Sequence, residues 1–272
     1  MKIDLTEATF IIPIRIESTD RLRNVITTVS FLLENFDTNI IIKEVDSESI
    51  FQKDALPILK DILDVDVNIN HIFEQSDDSS FHRQRVLNEM IVESNTDIVV
   101  NYDCDVLLPI DSYCKAYQYI LNCTYDIIYP YAQGVYQYQV KATDEIVSEF
   151  LQTYDFDILK NNSNQYTSDF GWVQFFNKQV YIEGGMENEN FVAYSPEDKE
   201  RFYRFTTLGY NVGRIDNYVY HLEHARGPNS WLNNPHMQKN NDVWEKIQKM
   251  NQNELRDYYS NQEYLKKYNG QK

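Results

Sequence analysis

Residues 97–109, DIVVNYDCDVLLP, restrict this chain more than any other segment. Ile98, Val99 and Val100 form a β-branched run with no polar face, the pattern of a strand buried inside a parallel sheet. The run passes into Asp103 and Asp105, with Val106, Leu107, Leu108 and Pro109 after them. Apolar sequence on both sides holds the two carboxylates at the carboxyl end of a core strand, the edge where open α/β sheets bind ligands. Carboxylates this close repel each other unless donors or a cation compensate, and hard oxygen ligands suit Mg²⁺ or Mn²⁺. A bare D-x-D is also an ordinary polar strand end before a turn, so the rest of the chain must decide.

Residues 9–14 predict a first strand with Arg15 just past its end. Asp20 stands where an N-cap belongs, and Leu22, Val25, Ile26, Val29, Leu32 and Leu33 follow at helical spacing. A second strand over 39–45 ends at Asp46, with Glu48 close by. A short helix over 55–62 leads to a third strand over 67–73. Residues 81–94 carry a helical stripe of Val86, Leu87, Met90 and Ile91, and the strand that begins near Asp97 comes next. The order β-α-β-α-β-α-β implies a doubly wound parallel sheet, whose strand ends bring Arg15, Asp46, Asp103 and Asp105 to one crevice.

Beyond Pro109 the pattern is mixed. A helix over 111–121 and a strand over 127–131 precede an Asn-rich stretch, 161–165, that reads as a loop or weak boundary. Phe170-Gly171-Trp172-Val173 follows, then a long acidic loop from Gly184. Pro196 opens a helix with Glu197 and Asp198 in its first turn, and Gly209 closes it. Tyr218, Val219 and Tyr220 make a short strand leading to His221 and His224. The tail beyond His236 is polar and helical in pattern, and there is no internal repeat.

With 42% apolar and 25% charged residues among 272, the composition is that of an ordinary globular chain. A net charge of −17 argues against a nucleic-acid backbone or an anionic membrane as partner. An anionic ligand would therefore have to be held locally, by Arg, His or metal. No apolar run approaches the length of a membrane span, and the start MKIDLTEATF lacks the basic and apolar regions of a signal peptide. Cys104, Cys114 and Cys123 have no zinc-like spacing, and a reduced, cytoplasmic setting is the expectation.

Six motifs in this order resemble the inverting glycosyltransferases of the GT-A fold, specifically the β-1,4-galactosyltransferase and chondroitin-polymerase-type families. They are Ile11-Ile12-Pro13-Ile14-Arg15, then Phe81-His82-Arg83-Gln84-Arg85-Val86-Leu87-Asn88, and Asp103-Cys104-Asp105-Val106-Leu107-Leu108-Pro109. The others are Phe170-Gly171-Trp172-Val173, Pro196-Glu197-Asp198 and His221-x-x-His224. The likeness spans about residues 9–226 and implies an α/β fold in two parts: a nucleotide-sugar-binding half over 1–110 and a mixed α+β acceptor-binding, catalytic half over 111–235. The polar helical tail over 236–272 falls outside it.

The resemblance also implies roles. Pro13, Arg15, Asp46, Arg83, Arg85, Asp103 and Arg226 match the nucleotide-sugar side. Asp105, His221 and His224 match the ligands of Mn²⁺ or Mg²⁺. His221 is a departure, since family members often have Met there. Trp172, Tyr194 and Glu197 match acceptor contacts, and Asp198 falls in the position of the base. The implied reaction moves a hexose or N-acetylhexosamine from a UDP-sugar to a hydroxyl of a saccharide or glycoconjugate acceptor. A nucleotidyltransferase would also use paired carboxylates on an α/β sheet, but its glycine-rich phosphate loop has no counterpart between Pro13 and Asp20. A catalytically silent sugar-binding module would have no need of Asp198 beside the metal ligands.

Overall fold

The computed structural model describes residues 2–63, 69–194, 196–230 and 233–268. Four strands alternate with three helices at the start: β1 (Ile3–Ile14), α1 (Thr19–Asn35), β2 (Phe36–Asp46), α2 (Leu56–Leu63), β3 (Asn70–Gln75), α3 (Arg83–Glu93) and β4 (Ile98–Tyr102). Every residue of β4 is buried, as its β-branched run requires. The chain continues through β5 (Val106–Leu107), α4 (Ile110–Leu121), β6 (Ile127–Tyr129), β7 (Gly134–Val140), α5 (Asp144–Thr153), α6 (Phe156–Asn161) and β8 (Ser163–Ser168). It then forms β9 (Val173–Asn177), α7 (Lys178–Glu183), α8 (Glu197–Leu208), β10 (Val212–Arg214) and β11 (Val219–Leu222). Three helices complete it: α9 (Met237–Ile247), α10 (Gln252–Ser260) and α11 (Glu263–Tyr268).

The central sheet has the order β10-β6-β9-β4-β1-β2-β3. Its neighbours pair in parallel except at β9, which runs antiparallel between β4 and β6. A second sheet has the order β5-β11-β7-β8. Val106 and Leu107 pair with His221 and Tyr220 across the β5–β11 ladder, which joins the acidic strand end to the histidine segment. Asn24, fully buried in α1, donates from Nδ2 to the Leu222 and Glu223 carbonyls at 3.0 and 3.2 Å and fixes the same segment from the other side.

Several expectations are corrected. Ser18, not Asp20, caps α1: its hydroxyl accepts from the Arg21 N–H, and Asp20 lies in the first turn, where its charge meets the helix dipole. The expected third strand begins at Asn70, and Val67 and Asn68 lie outside the described residues. The stretch 161–165 is not a loop. From Ser163 it is the edge strand β8, paired with β7, and its exposure explains why it is polar and shows no apolar alternation. Periodicity also missed β7 and β9. The tail is helical as expected, and Ile247, Leu255 and Tyr259 pack with Phe191 and Leu208 in a small core of their own.

Candidate active site

A cavity of about 560 Å³ opens at the carboxyl ends of β1 and β4. Pro13, Arg15, Arg83, Asp103, Asp105, Trp172, Tyr194, Glu197, Asp198, His221, His224 and Arg226 all line it. The structure thus brings twelve of the fourteen expected site residues to one cleft. Asp46 and Arg85 are not among its lining residues.

Asp105, His221 and His224 offer three ligand atoms within 4.8 Å of one another. His224 Nε2 lies 3.1 Å from Asp105 Oδ2, and His221 Nε2 lies 3.7 Å from Oδ1. The outer ring nitrogens determine what faces inward. His221 Nδ1 is 2.9 Å from the Gln139 amide oxygen, which also accepts from Gln137 Nε2. His224 Nδ1 is 2.8 Å from the Ala225 carbonyl. Both of those oxygens can only accept, so each Nδ1 carries the proton, and a neutral ring then aims its Nε2 lone pair at the carboxylate. Lone pairs pointing at lone pairs require a cation between them or protonated rings. One oxygen and two nitrogens at this spacing fit a divalent ion with bonds of about 2.0–2.3 Å. Burial works to raise the Asp105 pKa, but His221 and His224 overcome it and hold the carboxyl well below its usual range.

Asp103 is the second arm of the acidic pair. Its backbone N–H donates to the Trp172 carbonyl at 3.0 Å, and its carboxylate accepts from Arg83 Nη2 at 2.5 Å. Burial raises its pKa, Asp105 and Asp198 add to that, and Arg83 opposes it. Arg83 reaches the cleft because it opens α3, and it also donates to Asn101 on β4. Two residues on, Arg85 turns to the other side of the helix and pairs with Glu74 at 2.6 Å and Glu89 at 2.8 Å. That geometry leaves it outside the lining of the cleft. Asp46 accepts from the Ser47 N–H at the end of β2 and stands outside the cleft. Arg15 grips the Val45 carbonyl through Nε, and its Nη2 is buried without a partner.

Across the cavity, Glu197 and Asp198 form the first turn of α8 behind Pro196. Glu197 is 5% exposed, its Oε2 has no partner, and its pKa is pushed up to about 8 by burial and by Asp198 beside it, against the pull of Arg83. Asp198 accepts from Arg201 Nη1 at 2.8 Å through Oδ1, and its Oδ2 faces Gly171. Trp172 and Ala193 both have φ near +60° (66° and 58°), backbone that non-glycine residues adopt only under constraint. These strained residues hold the two loops that carry Trp172 and Tyr194 to the cleft wall. Tyr194 is 42% exposed, which leaves its ring free to meet a ligand.

Sequence reasoning missed Arg21, which lines the cavity from the first turn of α1; its Nε is buried with no hydrogen-bond partner and lies 3.8 Å from Glu17 Oε2. The signal for it was a second arginine soon after the first strand. It also missed Glu187 and Gln174, which meet at Arg201, 14 and 27 residues further along the chain.

No protein-family model matches the chain, and no curated protein matches its sequence. Solved structures share its architecture. A mannosyltransferase from Pyrobaculum calidifontis, PcManGT, in complex with GDP-Man and Mn²⁺, is similar at a TM-score of 0.55 and 11% identity, over 95% of this chain and 69% of that one. S. aureus TarS, residues 1–349 in complex with UDP-GlcNAc, is similar at a TM-score of 0.50 and 12% identity, over 85% of this chain. The chain spans 62% of that structure's length. The fold is therefore the GT-A arrangement: mixed α/β with a mostly parallel central sheet.

Proposed function

We propose that the chain is an inverting, metal-dependent glycosyltransferase that moves a hexose or N-acetylhexosamine from a UDP-sugar to a saccharide hydroxyl. One observation carries this reading. The acidic strand end and histidine pair stand on one wall of a single cleft, with a carboxylate pair on a helix start among its other lining residues. A divalent ion held by Asp105, His221 and His224 would supply Lewis-acid stabilisation of the leaving diphosphate. Arg15 brings a guanidinium nitrogen with no hydrogen-bond partner to the same cleft, and Arg21, 3.8 Å from Glu17, adds a second cation where a chain of net charge −17 needs them to hold an anion. Arg83 and Asp103, locked together, bind hydroxyls of the donor sugar.

The acceptor hydroxyl, with a pKa far above neutral, needs a base during attack. Asp198 Oδ2 takes its proton while the acceptor oxygen bonds to the anomeric carbon. The carbon–oxygen bond to the diphosphate breaks, and its electron pair leaves with the phosphate. One displacement with no carboxylate nucleophile gives inversion. Glu197, largely protonated near neutrality, donates a hydrogen bond to the acceptor, and Trp172 and Tyr194 supply apolar faces for sugar rings. Pro13 and Arg226 complete the donor side.

The similar structures hold GDP-Man in one case and UDP-GlcNAc in the other, so the base of the donor is the first thing to test. Thermal stabilisation by UDP, GDP, CTP and ATP, each with and without Mn²⁺, is the assay. Metal-dependent stabilisation by UDP above the rest supports the reading. Preference for GDP corrects the donor, and preference for a nucleoside triphosphate points to nucleotidyl transfer. A UDP-sugar screen for metal-dependent transfer then identifies the sugar.

A further inference from the structure

We infer that Glu187 and Arg201, neither of which lines the cleft, are positioning residues that fix the direction of the Asp198 carboxylate; this rests on the reading of Asp198 as the base. Arg201 lies one helical turn beyond Asp198 on α8 and is 1% exposed. Each of its nitrogens has an assigned acceptor. Nε donates to Glu187 Oε1 at 2.6 Å and Nη2 to Glu187 Oε2 at 2.9 Å. Nη1 donates to Asp198 Oδ1 at 2.8 Å and to Gln174 Oε1 at 3.2 Å.

A guanidinium bound at one point to one carboxylate can swivel about it. The bidentate grip of Glu187 fixes the plane of the guanidinium, and so fixes where Nη1 points. Glu187 is itself pinned. The Tyr181 hydroxyl donates to its carboxylate, its backbone N–H donates to Asn88 Oδ1 at 2.8 Å, and its carbonyl accepts from Asn88 Nδ2 at 3.0 Å.

The same guanidinium sets the surface that Asp198 faces. Gln174, which shares Nη1, donates from Nε2 to the Gly171 carbonyl at 2.6 Å and to that of Phe170 at 3.1 Å. Carboxylate and opposing loop are thus registered to one buried group. With Oδ1 taken by Arg201, Oδ2 is the oxygen left for a proton. Charge follows the same logic. Without Glu187, Asp198 would be the only anion hydrogen-bonded to a buried cation. With it, the three groups carry one net negative charge, and Asp198 is the member that reaches the cleft.

A double-mutant cycle on the full chain tests this. Glu187→Gln and Arg201→Lys should each lower kcat about 10- to 100-fold, with KM for the donor within about twofold of wild type, because a misdirected base costs rate and not ground-state binding. In an Asp198→Asn background neither should cost anything further. Rates are compared per folded molecule, well below each variant's Tm, and Arg201→Lys serves should Glu187→Gln fail to fold. Losses that multiply with that of Asp198→Asn, or a lowered Tm with kcat unchanged, would show a purely structural pair and overturn the inference. If Asp198→Asn alone keeps wild-type turnover, the assignment of the base is wrong and this inference falls with it. A slow Asp198→Asn with a multiplicative cycle leaves the base standing and removes only the positioning role.

Discussion

Gly171→Ala isolates the geometry of the proposed base with a single methyl group. An alanine Cβ at that position would lie 2.9 Å from Asp198 Oδ2 and 3.7 Å from its Cγ, whereas ordinary contact begins at 3.4 Å. Gly171 does not have positive φ, so alanine fits the backbone and the whole perturbation falls on the carboxylate. Asp198 must withdraw by about half an ångström while Arg201 holds Oδ1. Since an error of about 1 Å costs on the order of 10²-fold in rate, kcat should fall about 10-fold. Stability should hardly change, because the displaced atom ends a short side chain and replacing glycine by alanine at a compatible site favours folding by roughly 0.4–1 kcal/mol. Steady-state transfer at saturating donor and acceptor gives kcat, and a thermal melt on the same preparation checks the fold. Wild-type kcat in Gly171→Ala would refute the reasoning, since a base that tolerates this displacement is not held at the reacting atom. An unchanged kcat with a raised donor KM would place the clash on the donor instead.

Asp105→Asn should abolish the Mn²⁺-dependent rise in Tm with UDP; at a ligand concentration 100-fold above Kd that rise corresponds to about 2.7 kcal/mol in the wild type. A variant that keeps the full rise would remove Asp105 from the metal site. Burial, with Asp198 beside it, pushes the Glu197 carboxyl up to about 8 from the ordinary glutamate value of 4.5. Between those values the folded chain binds more protons than the unfolded one, so the wild type loses stability as pH rises through that window. Glu197→Gln should lack this loss and melt above the wild type at pH 9, a comparison read from Tm against pH. Arg85→Ala should leave UDP affinity within about twofold of wild type and cost about 1 kcal/mol or less in urea unfolding, because its partially exposed partners are Glu74 and Glu89. A large loss of UDP binding would return Arg85 to the donor site.

Much of this molecule is local in origin and was legible in the chain itself. The fully buried run Ile98–Tyr102 dictates a core strand, the order of strands and helices dictates a parallel sheet, and together they place Asp103 and Asp105 at a ligand-binding edge. The resemblance, and not the spacing alone, singled out His221 and His224 as a pair. Tertiary structure decided which charges face the cleft. Arg83 and Arg85 sit on one helix, but about 200° of rotation separates them, so one meets Asp103 and the other Glu74. A polar edge strand such as β8 has no apolar alternation to announce it, since its ladder bonds come from β7 and not from its own side chains. The support beneath Asp198 is the least local feature of all. Glu187, Gln174 and Arg201 come from a loop, a strand and a helix. Each is a buried polar group that is tolerable only because the fold delivers the other two, and no periodicity within any one segment encodes that meeting.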